Sequence, residues 1–149
     1  MDDNCLFPIE DGEKIVEGFL QKNLPEEDWT HEAHLIVGLY FLCYFEKSAL
    51  AEMRINLPEY NVSIGKTNTE QSGYHETMTW FWMTYIYNYF NENFDGIKWN
   101  QESLDELLDS ELLTERNAWR EYYSDELMMS INARQNLVPP DKNPITSIF

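Results

Sequence analysis

The chain has 149 residues, 43% of them apolar and 15% aromatic, enough to build one globular domain with its own core and too hydrophobic for a disordered chain. Its 27 acidic and 10 basic residues give a formal charge of −17. Such a surface repels phosphate backbones and anionic lipid, so neither nucleic acid nor a membrane surface is expected as a partner.

The same charge serves either as a solubilising coat or as a docking face for a basic partner. The stretch MDDNCLFPIED has neither a basic nor an apolar region of the kind a signal peptide carries, so no signal peptide is expected. No uninterrupted apolar run approaches the ~20 residues of a transmembrane helix. Cys5 and Cys43 are the only cysteines, one near a terminus and one inside an apolar helix, so no disulfide framework is expected. The expectation is a cytoplasmic protein.

Residues 1–9 read as an irregular lead-in. From about Asp11 to Lys22, Ile15, Val16, Phe19 and Leu20 recur at helical spacing, and Asn23-Leu24-Pro25 ends that helix. A second helix runs from Pro25 or Asp28 to Phe45, apolar nearly all round in its outer half, as a helix with neighbours on several sides must be. A third, from Ala49 to about Leu57, is expected to end or kink at Pro58. Glu59 to Ser72 reads mostly as loop, and a loop of that length in a small domain is more often functional than idle.

Tyr74 to Asn91 is a helix crowded with aromatic rings, which serve most simply as core and pocket wall. Asn100 or Ser103 then caps a helix striped by Leu104, Leu107, Leu108, Leu112 and Leu113. Glu115–Tyr123 reads as a further helix or a turn, and Ser124–Asn132 as a short helix. Pro139, Pro140 and Pro144 exclude helix from residues 138–149, an extended tail laid on the surface or left free. No segment alternates as a strand does. The fold class is all-α, a single helical domain over residues 1–149 built as a bundle of about four main helices with short extra ones.

All three histidines fall in two short motifs, Trp29-Thr30-His31-Glu32-Ala33-His34-Leu35 and Gly73-Tyr74-His75-Glu76-Thr77. Residues three apart share a helix face, so His31 and His34 can converge, and His75 completes a three-nitrogen set if the two helix starts adjoin. Three protein ligands with an open position suit a catalytic zinc or non-haem iron. A metal-free polar pocket and plain hydrogen bonding to loop backbone are the alternatives. Glu32 and Glu76, each beside a histidine, are a fourth ligand or acid–base group, or else first-turn acids complementing the helix dipole.

Arg54 either clamps an anionic substrate or pairs with one of the many carboxylates. Asn68 and Thr69 order their loop or touch a ligand, and Thr79, one turn after His75, can orient that ring. Cys43, in an apolar helix, is a poor nucleophile. The sequence holds no GxGxxG, P-loop, GxSxG, HExxH or CxxC, which removes the common nucleotide, hydrolase, zincin and redox readings.

WTHEAHL, Arg54 with the Pro58-Glu59-Tyr60-Asn61 step, NTEQSGYHET, and Arg120-Glu121-Tyr122-Tyr123-Ser124 followed by Val138-Pro139-Pro140-Asp141 together resemble a family of uncharacterised bacterial proteins. The family pattern is WTHxAHL, a PxYN step, NTxxxGYHET and a late YYS segment with a V-x-P-D tail. The resemblance covers about residues 24–141 and brings no reaction with it. It implies that the histidine motifs are the hallmark, and it adds Tyr74, Asn68, Tyr123 and Arg54 as site candidates. The late segment departs from the family's arginine-rich form, since Asp125 and Glu126 follow Ser124.

The expectation is therefore a small metal-dependent enzyme with zinc or iron on His31, His34 and His75. Glu76, Tyr74 or Glu32 would act in catalysis, while Arg54, Asn68, Thr69 and Tyr123 would hold a small anionic molecule. The alternatives are a non-catalytic small-molecule binder and an acidic protein-interaction module.

Overall fold

The long apolar helix predicted around Leu35–Cys43 is the centre of the molecule. In the computed structural model, which describes residues 7–149, it runs His31–Phe45 (α2) and buries Ala33, Leu35, Ile36, Val37, Gly38, Leu39, Phe41 and Leu42. Fully enclosed side chains such as Ile36, Leu39 and Phe41 each contribute about 2 kcal/mol of burial free energy. A helix apolar on all sides needs cover on all sides. Ile9–Leu20 (α1), Ala49–Ser63 (α3) and Glu76–Asn93 (α4) pack against it, joined by Gln101–Asp109 (α5) and Glu111–Thr114 (α6).

Two short helices, Asp125–Met128 (α7) and Ile131–Gln135 (α8), close the domain, with α8 lying against α4. No strand occurs among the described residues, and no helix among them is long and apolar enough to cross a membrane. The fold is an all-α domain with four helices of 12 to 18 residues. Cys5 and the first part of the lead-in lie outside the described residues.

Several helix ends differ from the pattern-based expectation for identifiable reasons. α1 closes in a Schellman arrangement, with Lys22 N–H on Phe19 O and Asn23 N–H on Gly18 O, and Lys22 itself at φ +60° where glycine is usual. The second helix does not start at Pro25. Glu26–Asp28 forms a single 3₁₀ turn, and α2 starts only after Thr30, whose hydroxyl accepts the Ala33 N–H at 3.2 Å. That start places His31 and His34 in the first turn.

α3 passes through Pro58 and continues to Ser63, absorbing the first part of the expected loop. Its last turn is held from outside: Tyr60 is fully buried and its hydroxyl donates to Leu24 O at 2.8 Å. This tertiary anchor outweighs the ~3 kcal/mol that an interior proline costs a free helix. The leucine stripe after Asn100 is cut at Ser110, whose side chain caps α6 by accepting the Leu112 N–H.

The C-terminal tail lies on the bundle. Val138 is buried, its N–H reaches the Thr77 hydroxyl at 3.2 Å, and Tyr123, fully buried, donates to Val138 O at 2.7 Å. Further along, Asn88 donates to Thr146 O at 2.7 Å.

Candidate functional site

The first turn of α2, the second half of α3 and the start of α4 surround an open cleft of about 530 Å³. That size is ordinary for a small-molecule site. His31, His34, His75 and Tyr74 all line it. Its deeper wall is apolar, from Leu35, Met53, Leu57, Met78, Met83 and Ile86. Gly38 lets α2 and α4 close at the floor, since a Cβ there would stand 3.0 Å from Ile86 Cδ1.

Each histidine is held by a backbone carbonyl, and a carbonyl only accepts, so the ring nitrogen facing it carries the proton. His31 Nε2–H donates to Leu112 O at 3.1 Å, and His34 Nδ1–H donates to Thr30 O at 2.7 Å. Their other nitrogens, Nδ1 of His31 and Nε2 of His34, are lone-pair acceptors. His34 packs at a tilt against Trp29 with ring centroids 3.9 Å apart, and Trp29 in turn stacks on Phe19. His34 is exposed and lines the cleft, with its ring crowded by Trp29.

Burial lowers His34 to about 4, against the upward pull of its bond to Thr30. Burial also lowers His31, partly opposed by the Leu112 carbonyl and reinforced by Arg116. Both rings are neutral near pH 7.

His75 is different. It is the N-cap of α4: its Nδ1 accepts the Met78 N–H at 3.1 Å, while Nε2–H donates to Met128 O at 2.8 Å. Both nitrogens are engaged, which fixes the Nε2–H tautomer and leaves no lone pair for a ligand. Burial lowers its pKa too, with Arg134 adding to the effect. Among the described residues no three His, Cys, Asp or Glu side chains group as a metal cluster would.

The remaining candidates are mostly engaged in holding the fold. Glu76, at the first position of α4, accepts Arg54 Nε–H at 2.7 Å on one oxygen and the Tyr74 hydroxyl at 2.7 Å on the other. Burial, with the adjoining carboxylate, pushes the Tyr74 phenol well above its usual range, so it is a donor and not an acid. Replacing Glu76 by glutamine keeps the shape but removes the charge facing Arg54. It is expected to lower stability by about 1–2 kcal/mol, read from urea unfolding, because a charge-assisted pair becomes a neutral one.

Asn68 Oδ1 accepts from Tyr74 N–H at 2.9 Å and Asn61 Nδ2–H at 3.0 Å, and its amide donates to Pro58 O at 3.0 Å. Thr69 closes an exposed turn by accepting the N–H groups of Gln71 and Ser72. Thr79 donates to His75 O, holding that residue's backbone and not its ring. Tyr123 is fully buried and does not reach the cleft, and Glu32 lies in a separate acidic cleft with Glu102, Asp105, Glu106 and Asp109. Burial raises the Cys43 thiol to about 12, which keeps it protonated near pH 7.

Two lining residues escaped the sequence reading, Lys66 and Arg116. Lys66 pairs with Glu26 at 3.3 Å across the surface. Arg116 is exposed and makes no ion pair or side-chain hydrogen bond among the described residues. The signal that points to them is scarcity, since the chain has only 10 cationic residues against 27 acids. Among the described residues lining the cleft there is no aspartate and no glutamate.

Comparison of the chain with protein-family models, with curated proteins and with solved structures finds no match.

Proposed function

We propose that this protein binds a small anionic molecule with an apolar body in the cleft between α2, α3 and α4. One observation carries the reading: in a chain with a formal charge of −17, the cleft is lined by Lys66 and Arg116 and by no carboxylate among the described residues. An acidic surface with a cationic, carboxylate-free cavity favours a negative ligand at that place and repels it elsewhere. Trp29 and Trp82 line the cleft and report its occupancy by fluorescence. Small carboxylates are expected to change that fluorescence saturably, and Arg116→Gln to weaken them about tenfold, or ~1.4 kcal/mol. Binding confined to neutral and cationic compounds would count against the reading.

A second reading, a metal-dependent enzyme, is favoured by one feature. His31 and His34 each have one nitrogen fixed by a carbonyl and the other free, the orientation that metal-bound imidazoles have. Zinc or iron would sit on His31 Nδ1 and His34 Nε2, and His75 would join only by giving up Met78 and Met128. Elemental analysis of untagged protein after exposure to zinc and to iron tests it. Near-stoichiometric metal that is lost in a folded His31→Ala/His34→Ala variant supports this reading, and metal-free protein after dialysis removes it.

A further inference from the structure

We infer that the ligand is a 2-hydroxy carboxylic acid with an aliphatic or aromatic side chain, an inference that rests on the anionic-ligand reading of the same cleft. Three features of the wall select the three parts of such a molecule.

The carboxylate follows from the cations. Lys66 is already partly compensated by Glu26, which leaves Arg116 as the guanidinium on the cleft wall with no carboxylate partner among the described residues. One uncompensated charge matches a monoanion better than a phosphate dianion, which needs several converging donors. The nearby start of α2 supplies few, because Thr30 already caps it through the Ala33 N–H.

The hydroxyl follows from the histidines. With Nε2 of His31 and Nδ1 of His34 donating to carbonyls, what these rings offer the cleft is acceptors, and an acceptor left unmatched on binding costs about 1–3 kcal/mol. The ligand must therefore carry a donor. The two rings belong to the first turn of α2, His31 bonds the carbonyl of Leu112 four residues before Arg116 in the chain, and both rings line the same cleft as Arg116 and Lys66. The donor thus lies beside the carboxylate. An ammonium would also donate, but it would add a positive charge beside Arg116 and the partly compensated Lys66, with no carboxylate on the wall to receive it. A neutral hydroxyl donates without that repulsion, which selects a hydroxy acid over an amino acid.

The side chain follows from the deeper wall. Leu35, Met53, Leu57, Met83 and Ile86 give it an apolar surface, and methionines adapt to aliphatic and aromatic shapes alike. About 530 Å³ is far more room than a three-carbon acid fills.

Tryptophan fluorescence titrations with 3-phenyllactate, 2-hydroxyhexanoate, 3-phenylpropionate, phenylalanine and lactate test all three parts. At least one of the first two is expected to bind about tenfold or more tightly than each of the last three. His34→Phe, which keeps a ring on Trp29 but removes the acceptor, is expected to erase the preference for 3-phenyllactate over 3-phenylpropionate. Arg116→Gln is expected to weaken the carboxylates alike. Equal binding of 3-phenylpropionate, tighter binding of phenylalanine or equal binding of lactate would each overturn the inference while leaving an anion-binding cleft. No binding by any of the five would overturn that cleft as well.

Discussion

Gly73→Ala is expected to lower stability by about 3 kcal/mol or more, the largest effect of any single methyl group at the site. Gly73 sits at φ +84°, where an L side chain costs about 1–2 kcal/mol. Space makes it worse. A Cβ would stand 2.2 Å from Thr67 O, 2.7 Å from Asn68 Oδ1 and 2.8 Å from Asn68 Cα, and two of those atoms are backbone. Relieving the contact moves Asn68, which accepts from Tyr74 and Asn61, and moves the Gly73 carbonyl, which accepts from Arg134 at 2.8 Å. Gly65 provides the control, since it has φ +85° but nothing within 4 Å of the added carbon. Gly65→Ala should therefore show the conformational cost alone, about 1–2 kcal/mol. Urea midpoints at unchanged slope measure both, and a Gly73→Ala variant no weaker than Gly65→Ala would refute the steric account.

The contrast between those glycines shows what the amino-acid pattern can and cannot say. Both look like loop punctuation in the sequence, and only the fold places Thr67 and Asn68 against one of them. Helix positions were legible because apolar spacing is a local property: α1, α2 and α4 fall within a few residues of where Val16, Leu39 and Phe81 put them. Pro58 misled because the counterweight, Tyr60 bonded to Leu24, joins residues 36 apart.

The histidines follow the same division. That His31, His34 and His75 can share a cleft follows from two helix starts. Which nitrogens stay free depends on Leu112 and Met128, whose carbonyls lie 81 and 53 residues away along the chain. Polar side chains advertise a capacity for chemistry. Asn68, Thr69, Glu76 and Tyr123 use that capacity on neighbouring protein groups, while Arg116, unremarkable in the sequence, faces the cleft without a protein partner among the described residues.

His75→Ala is expected to cost about 2–3 kcal/mol at pH 7, combining a lost N-cap of about 1 kcal/mol with the lost bond to Met128 O and lost packing. His75→Asn should recover about 1 kcal/mol of this, because asparagine caps a helix well but cannot reach Met128 as the ring does. A ring held mainly for metal or catalysis would give no such rescue. Acid supplies a second test. The folded protein lowers the pKa of His75 below the 6.5 of an unfolded histidine, chiefly by burial. The unfolded state therefore takes up the proton first. The contribution is complete above about pH 6.5 and is lost as pH falls through the folded pKa. Protonation also turns Nδ1 from acceptor to donor, so it must release the Met78 N–H. His31 and His34 carry the same sign, His34 losing its contribution between about 6.5 and about 4.

The 27 carboxylates act against this on acidification, since neutralising them relieves repulsion in the folded state. Between pH 7 and 5 the stability difference between wild type and His75→Asn cancels this common background and isolates His75. That difference is expected to shrink steadily as pH falls, and a constant difference across the interval would show that His75 does not titrate in the way its bonds require.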